Sequence, residues 1–214
     1  MTLTTVLFGQ SVALPDLPIR KDIHGIGLTD WSDYAPRLTE LFSYENTFYH
    51  EEPRLDISDP AISPDLLNSQ DFLISSDVFE HVVPPVDRSL RNVWRILKPG
   101  GFLVLTVPYA PRMETVEHFP DLNEFTVSEQ GDGTFVLRNV TAAGEIQEFN
   151  QLIFHGGPGA TLEMRVFGEG DLLVRLRDAG FTEVRIHRMD FTHGIWWPEN
   201  WSLPISARKP LDSK

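Results

Sequence analysis

The stretch Asp71–Pro108, DFLISSDVFEHVVPPVDRSLRNVWRILKPGGFLVLTVP, decides the fold class of this 214-residue chain. It opens with an uninterrupted apolar run, Phe72–Ile74, which is typical of a strand covered on both faces of a parallel sheet. A helix is predicted over Val86–Leu97, where apolar residues recur at helical spacing and the arginines lie elsewhere. The KPGG segment at 98–101 is expected to cap that helix through glycine, and Phe102–Val107 predicts a second buried strand. Two buried strands joined by one helix run parallel with a right-handed crossover, so the sequence predicts an α/β fold.

Upstream and downstream of this unit, further strands and helices are predicted. Residues 1–22 are expected to be irregular, because prolines bracket a loop there and no periodic pattern is present. The segment before residue 58 predicts a buried strand, a helix that begins at Ser32 or Asp33, and another strand: Ile23–Asp30, about 33–42, and Thr47–Ile57. After residue 165 the pattern predicts an amphipathic helix and two strands, the last placed at a sheet edge by its proline: Glu169–Ala179, Thr182–Arg188 and Trp201–Arg208.

Residues 109–165 differ in character and predict a β-rich insertion. Three short strand-like runs lie here, at Phe125–Val127, Phe135–Leu137 and Ile146–Phe154. Glycine-containing turns at 131–133 and 143–144 separate them, as in hairpins. The whole chain, residues 1–214, is interpreted as one domain that carries this insertion.

Charge and composition restrict the partners. The formal net charge of −13 disfavours nucleic acids, which proteins bind mainly through basic contacts to phosphates. The absence of cysteine excludes disulfides, thiolate metal sites and a cysteine nucleophile. No segment approaches the ~20 apolar residues of a membrane span, and the N-terminus lacks the basic region of a secretory signal. We expect a cytoplasmic protein without nucleic-acid or membrane partners, and a homo-oligomer is compatible with the sequence.

The motifs of the central stretch closely resemble those of the class I S-adenosylmethionine-dependent methyltransferases, in particular the type 11 group. The matching motifs are ISSDVFEH at 74–81, RILKPGG at 95–101 and FLVLTVP at 102–108. The resemblance extends over about residues 23–108 and 166–208. It implies a Rossmann-like, mostly parallel central sheet with an antiparallel last strand. It also implies methyl transfer from S-adenosylmethionine to a small-molecule acceptor, which the insertion at 109–165 would cover.

The resemblance places one cofactor contact at the end of a second strand. GIGLTDW at 25–31 is similar to that strand, and its terminal acid, here Asp30 followed by Trp31, would bind the ribose hydroxyls. Capping of the next helix or an Asx turn is the alternative role of Asp30.

Other cofactor contacts are implied at the third and fourth strands. RLDIS at 54–58 is similar to the end of the third strand. There Asp56 would accept a hydrogen bond from the adenine amino group and Ile57 would donate its backbone N–H. Ser76 and Asp77 would line the pocket beneath the cofactor. For Asp56 the alternative is again a local turn or cap.

Members of this family begin with a strand and a glycine-rich loop, and this chain departs from that pattern. Upstream of Asp30 it has only TTVLFGQ at 4–10. Either the first strand is divergent with Gly9 in its loop, or the chain is shortened and holds the methionine end differently, or cofactor binding has been lost. The last case predicts a catalytically inactive methyltransferase-like domain that acts as a binding or scaffolding partner. A nucleotide-binding oxidoreductase is disfavoured, because it needs the same loop.

Candidate catalytic groups follow the fourth strand and lie in the insertion. Glu80 and His81 come directly after that strand, and histidine titrates near neutrality, so it can take a proton from an acceptor. His155 lies in FHGGPG at 154–159, where glycines allow a ligand to approach closely. The alternatives are orientation of the loop for Glu80 and His81, and a tight connection for His155. No metal site is expected, since no histidine and carboxylate spacing matches HExxH or another dense ligand motif.

Overall fold

The computed structural model describes residues 2–190, 195–196 and 201–211. Four α-helices are found in this part of the chain: α1 Thr2–Phe8, α2 Ala35–Leu41, α3 Val86–Ile96 and α4 Glu169–Asp178. The strands in chain order are β1 Arg20–Leu28, β2 Phe42–Thr47, β3 Gln70–Ser76, β4 Leu97–Thr106, β5 Tyr109–Ala110, β6 Val116–Glu117, β7 Glu124–Glu129, β8 Phe135–Val140, β9 Ile146–Phe149, β10 Phe154–His155, β11 Thr161–Leu162, β12 Arg165–Gly168, β13 Thr182–Ile186, β14 Met189–Asp190, β15 Ile195–Trp196 and β16 Ile205–Arg208. None of the described helices is both long enough and apolar enough to cross a membrane.

A six-stranded sheet in the order β13-β16-β4-β3-β1-β2 forms the centre. Strands β2, β1, β3 and β4 are mutually parallel. Strand β16 runs antiparallel to both of its neighbours, β4 and β13. The predicted Rossmann-like α/β fold, with a mostly parallel sheet and an antiparallel last strand, is confirmed.

Apolar side chains of the central strands alternate between the two faces of the sheet. Leu73 and Leu103 belong to a buried cluster with residues of α3 and α4. Phe72 and Val104 belong to a second cluster with residues of α1 and α2. Each large apolar side chain buried in this way contributes ~1.5–3 kcal/mol relative to exposure. Because both faces are covered, these strands are continuous apolar runs in the sequence.

Helix α3 has the predicted apolar stripe but ends earlier than expected. Val86, Leu90, Val93 and Ile96 are buried. Leu97 is already extended, with ψ 142°, and begins β4. The prediction of a glycine cap was therefore wrong. Pro99 disfavours the helical conformation for the residue before it, and Gly100, with φ 83°, lies within β4, where the register with β3 is irregular.

Strand β1 lies between β3 and β2, in the interior of the sheet. In the doubly wound order 3-2-1-4-5, the neighbour of the fourth strand is the first strand. Strand β3 carries the motif of the fourth strand, so β1 occupies the first position and β2 the second. The assignment of residues 25–31 to a second strand was thus wrong, and burial of residues 25–28 fits an interior strand. Residues 4–10, considered as the first strand, instead belong largely to α1, which packs through Leu3 and Thr4.

The predicted strand Thr47–Ile57 was also wrong, because β2 ends where that prediction begins. Just beyond Thr47, outside the strands of the sheet, an isolated bridge pairs Phe48 with Arg54. Pro53 has no N–H to donate, and its carbonyl accepts a hydrogen bond from the Phe48 N–H at 2.9 Å. The residues expected at the end of a third strand therefore lie in a loop.

Strand β16 is interior rather than at the predicted edge, since it pairs with β4 on one side and β13 on the other. Pro204 lies just before the strand, so its missing N–H removes no bond from the ladder.

The β-rich insertion between β4 and α4 is confirmed. Strands β7, β8 and β9 form an antiparallel meander, and β5, β12 and β6 form a second small sheet. Its turns contain Gly133 and Gly144 at φ 81° and 83°, in the left-handed region that glycine adopts without strain. Phe119, Leu137 and Met164 belong to a separate buried cluster in the insertion.

Candidate active site at the carboxyl ends of the strands

The carboxyl ends of β1, β3 and β4 lie along one edge of the sheet, because these strands are parallel. Asp30 and Trp31 follow β1, Ser76 is the last residue of β3, and Asp77 follows it. In doubly wound sheets ligands bind outside this edge. The structure therefore brings residues predicted from separate motifs to one border of the sheet.

Asp30 is enclosed by the neighbouring strand. It is 5% exposed, and its Oδ2 accepts a hydrogen bond from the Tyr44 hydroxyl at 2.5 Å. Its backbone N–H donates to Asn46 Oδ1 at 2.8 Å, and its carbonyl accepts from Asn46 Nδ2 at 2.9 Å. Burial raises the pKa of Asp30, and hydrogen bonds from tyrosine hydroxyls oppose that shift. These contacts fasten the turn after β1 to β2.

Two glycines of β1, Gly25 and Gly27, allow this close packing. A Cβ on Gly27 would lie 1.9 Å from Tyr44 Oη and 2.3 Å from Asp30 Oδ2. A Cβ on Gly25 would lie 2.1 Å from the Phe72 ring. No side chain fits at such distances, so both positions serve interior packing. Side chains of the chain itself, Tyr44 and Asp30, fill the space beside the turn after β1.

Asp56 and Ile57 lie in the loop that packs on α3. Asp56 Oδ1 accepts hydrogen bonds from the Ser58 N–H at 2.8 Å and the Ser58 hydroxyl at 2.6 Å, which is the Asx turn considered as its alternative role. Ile57 is buried, and its carbonyl accepts a hydrogen bond from Asn92 Nδ2 at 2.9 Å. Its N–H has no acceptor among the described residues. Asn92, which is 3% exposed, holds this loop and was not singled out from the sequence.

Residues at the end of β3 are held by β4. The Ser76 hydroxyl lies 3.0 Å from Thr106 Oγ1, and the Asp77 N–H donates to the Thr106 carbonyl at 2.9 Å. Asp77 is exposed and has φ 51°, a strained conformation at the turn out of the strand. Trp31 is 66% exposed. The turn after β3 is therefore fixed in its backbone while its acid faces solvent.

Glu80 is a fully buried carboxylate without a hydrogen-bond partner. It is 0% exposed, and neither of its carboxyl oxygens is bonded within the described part of the chain. Burial raises the pKa of Glu80 to about 8, and the nearby carboxylates of Asp77 and Glu163 add to the rise. The backbone N–H of Glu80 itself and, more weakly, Arg165 oppose it. Such an arrangement is unusual for a purely structural residue.

The imidazoles of His81 and His155 adjoin this carboxylate. His81 Nδ1 lies 2.8 Å from the Leu162 carbonyl oxygen, so Nδ1 carries the proton of the neutral ring and Nε2 keeps its lone pair. His81 Nε2 lies 3.7 Å from Glu80 Oε1. The two histidine rings meet edge to face with centroids 4.7 Å apart. Burial lowers the pKa of His81. The structure thus brings together the three residues predicted as catalytic.

Glu163 connects two histidines of the insertion and was missed from the sequence. It is 5% exposed, its Oε1 lies 2.7 Å from His118 Nε2, and its Oε2 lies 2.9 Å from His155 Nε2. Nothing in LEMRV at 162–166 distinguishes this glutamate from a surface residue, so only the tertiary contacts identify it.

Arg165 fixes the turn that carries Glu80 and His81. Its side chain is fully buried, and Nη1 donates to the carbonyls of Phe79 at 2.8 Å and Val82 at 2.7 Å. Its Nε forms an ion pair with Glu117 Oε1 at 2.8 Å. An arginine in a β-rich insertion would ordinarily face solvent. Strand β12 therefore fastens the insertion directly to the turn after β3.

A cavity of about 370 Å³ lies in the insertion, lined by aromatic and loop residues that include Phe135, Phe154 and Pro158. Phe154 directly precedes His155 in the chain. The volume lies within the range of small-molecule sites.

The comparisons with known proteins agree with this geometry. The family model described as a methyltransferase domain matches residues 52–105, which run from the Asp56 loop through β3 and α3 into β4. The carbon methyltransferase CurJ superposes with a TM-score of 0.53 at 15% identity, covering 92% of this chain and 51% of that chain. The CMeT domain of the citrinin polyketide synthase gives 0.51 at 16% identity, covering 92% and 49%.

The sugar N-methyltransferase KedS8 from Streptoalloteichus sp. has a TM-score of 0.50 at 14% identity, covering 88% of this chain and 80% of that chain. This chain spans about half the length of the first two structures and most of the third. No curated protein sequence matches the chain significantly. The chain has the fold of the class I methyltransferases, and its residues 52–105 match the methyltransferase-domain model, which agrees with the resemblance seen in its sequence.

Proposed function

We propose that the protein transfers a methyl group from S-adenosylmethionine to a small-molecule acceptor. The observation that carries this proposal is the position of the family-matched segment 52–105 in the sheet. That segment brings the Asp56 loop and the turn after β3 to the edge where doubly wound folds bind their ligands.

The adenosine end of the cofactor fits the residues present. The Ile57 N–H has no acceptor among the described residues, and Asn92 holds the loop in place. Asp56 Oδ1 is occupied by Ser58, which leaves Oδ2 for the adenine amino group. Ser76 and Asp77 would contribute the floor and an exposed acid at the end of β3.

We assign the contact to the ribose hydroxyls to a residue after β2 rather than to Asp30. Acids that bind ribose hydroxyls follow the second strand, which here is β2. Glu51 is the first acid after β2 and is exposed, whereas Asp30 is enclosed by Tyr44 and Asn46. We therefore assign Asp30 to the architecture of the first turn and Glu51 to the ribose.

On the acceptor side, Glu80 and His81 follow β3 and lie close to His155 of the insertion. S-adenosylmethionine supplies a methyl group on a sulfonium, whose departure as a thioether needs no acid from the protein. The remaining task is to orient the acceptor and to remove its proton. The lone pair on His81 Nε2 can accept that proton, because the Leu162 carbonyl fixes the hydrogen on Nδ1. The cavity beside Phe154 would receive the body of the acceptor.

Calorimetric titration with S-adenosylhomocysteine tests the cofactor assignments. Asp56→Asn keeps the Ser58 turn but replaces Oδ2 with an amide donor, which would oppose the adenine amino group. We expect it, and Glu51→Gln, to weaken binding at least tenfold, or ~1.4 kcal/mol. Asp59→Asn is the matched control, because Asp59 forms the same kind of turn with the Ala61 N–H. Asp30→Asn is expected to change stability more than affinity.

A non-catalytic binding domain is the second candidate, favoured by the filled turn after β1. Wild-type protein that releases no heat with S-adenosylhomocysteine would reject the enzyme and favour this candidate. Equal affinities of Asp56→Asn and Asp59→Asn would instead reject the assigned adenine contact.

A further inference from the structure

Three residues with metal-ligating side chains converge beside the turn after β3. One ligand atom each from Glu80, His81 and His155 lies within 4.8 Å of the others. His81 Nε2 and Glu80 Oε1 are 3.7 Å apart. Two ligands bound ~2.1 Å from a tetrahedral ion lie ~3.4 Å apart, so small side-chain rotations would complete a site.

The buried carboxylate independently points to a ligand. Glu80 is 0% exposed, and both of its oxygens lack a hydrogen-bond partner among the described residues. A buried carboxyl group without hydrogen bonds is costly, whether or not it is ionised, unless another group compensates it. Arg165 is a buried cation whose charge favours the ionised form of Glu80, but it forms no hydrogen bond with that carboxyl group. Its Nη1 donates to the carbonyls of Phe79 and Val82, its Nε contacts Glu117, and its Nη2 has no hydrogen-bond partner among the described residues.

Both imidazoles are oriented by outer contacts of the kind found around bound metals. His81 donates Nδ1–H to the Leu162 carbonyl, which leaves Nε2 free to coordinate. His155 places Nε2 on Glu163 at 2.9 Å, which leaves Nδ1 free. Metal-binding histidines characteristically donate their second N–H to a carbonyl or a carboxylate. Glu163 is itself fixed by His118 through its other oxygen.

We propose that Glu80, His81 and His155 bind a divalent transition-metal ion of the Zn²⁺ type. Imidazole favours such ions over Mg²⁺ and Ca²⁺, which prefer oxygen ligands. Two histidines and one glutamate form an incomplete coordination shell, and the His155 side chain is 39% exposed. The ion would therefore keep an open position toward solvent, as ions in catalytic sites do. Binding itself does not depend on the proposed methyl transfer; if that function holds, the ion replaces His81 as the group that activates the acceptor.

The test is a titration of chelator-treated protein with Co²⁺, followed by its visible absorption, and with Zn²⁺, followed by calorimetry. We expect one ion per chain. Glu80→Gln, which keeps the shape of the side chain, should weaken binding at least tenfold. His155→Gln, at the more exposed ligand, should do the same and serves if Glu80→Gln fails to fold. The thermal midpoint should rise with Zn²⁺ in the wild type and should rise less in both variants at the same Zn²⁺ concentration.

The matched control is His50→Gln. His50 is exposed and is followed by Glu51 and Glu52, so these surface side chains could chelate an ion nonspecifically. The affinity of His50→Gln should equal that of the wild type. Absence of binding to the wild type, equal binding by Glu80→Gln and His155→Gln, or loss of binding in His50→Gln would each overturn the proposal. Because no cofactor is present in this titration, its result is independent of the S-adenosylhomocysteine experiment.

Discussion

Removal of one hydroxyl, in Tyr44→Phe, should destabilise the first turn of the sheet without changing its packing. Tyr44 is 6% exposed, and its hydroxyl donates to Asp30 Oδ2 at 2.5 Å. Its ring stacks near Phe72, with centroids 6.1 Å apart and an interplanar angle of 10°. Phenylalanine keeps that ring contact, so the substitution isolates the hydrogen bond to the carboxylate.

The expected loss follows from the charge of the acceptor. A hydrogen bond to an ionised group contributes ~1.5–3 kcal/mol, and the Tyr34 hydroxyl, which also favours the charged form of Asp30, replaces only part of that contribution. We expect the free energy of unfolding to fall by ~2 kcal/mol near neutral pH. With a urea m-value of ~3 kcal/mol/M, the denaturation midpoint falls by ~0.7 M.

The loss should depend on pH in a defined direction. Burial raises the pKa of Asp30 above its unfolded value of 3.8, so the native state binds this proton more tightly than the unfolded chain. The contribution of Asp30 to stability therefore decreases as pH rises from the unfolded pKa through the native pKa. The Tyr44 hydroxyl opposes that decrease because it stabilises the charged carboxylate. Tyr44→Phe should therefore make the loss of stability with rising pH larger. Below this window the cost of Tyr44→Phe falls to ~1 kcal/mol, the value for a neutral hydrogen bond.

Urea denaturation at several pH values, followed by circular dichroism, measures this effect. Tyr49→Phe is the control, because Tyr49 is 51% exposed and lies just after the same strand. A loss below ~0.5 kcal/mol that does not vary with pH would show that the Tyr44 hydroxyl does not stabilise the Asp30 carboxylate.

Three further predictions concern packing, positioning and titration. Gly27→Ala should lower the free energy of unfolding, measured by urea denaturation, by ~2–4 kcal/mol, because its Cβ would lie 1.9 Å from Tyr44 Oη. Gly131→Ala is the control and should be nearly neutral, since the space around its Cβ is open. Equal effects of the two substitutions would contradict the packing role of Gly27. Arg165→Met should lower the free energy of unfolding by ~3–5 kcal/mol, because it leaves Glu117 and two backbone carbonyls unpaired in or near the interior. A thermal midpoint close to that of the wild type would show that Arg165 does not fix the turn after β3. Burial and nearby Arg185 lower the pKa of His187 below 6.5, so the unfolded chain binds this proton more tightly than the native state. The free energy of unfolding should therefore fall as pH decreases below 6.5, and His187→Gln should reduce that fall. An unchanged dependence of stability on pH in His187→Gln would exclude a contribution from His187.

Much of the sheet can be predicted from the sequence because its interior strands have two buried faces. Phe72–Ile74 and Phe102–Val107 are apolar runs that need helices on both sides, and α3 supplies one of them with its 3.6-residue pattern. The strands of the insertion could be predicted for a different local reason, because glycines mark the turns between them. By contrast, the order of β1 and β2 could not be read, because both the first and the second strand of a doubly wound sheet are short apolar segments that end near a polar turn.

The sequence alone identified the candidate functional residues after β3. Asp77, Glu80 and His81 could be placed there because their spacing from the strand and from the following helix is short and fixed. Only the tertiary structure decided what surrounds them. His155 and Glu163 lie near Glu80 and His81 because β11 and β12 contact the turn after β3 and β10 pairs with β11. Such contacts depend on burial and on the path of the insertion, neither of which leaves a periodic signal along the chain. For the same physical reason Asp30 was recognisable as a strand-end acid, while its enclosure by Tyr44 became visible only when β2 was placed beside β1.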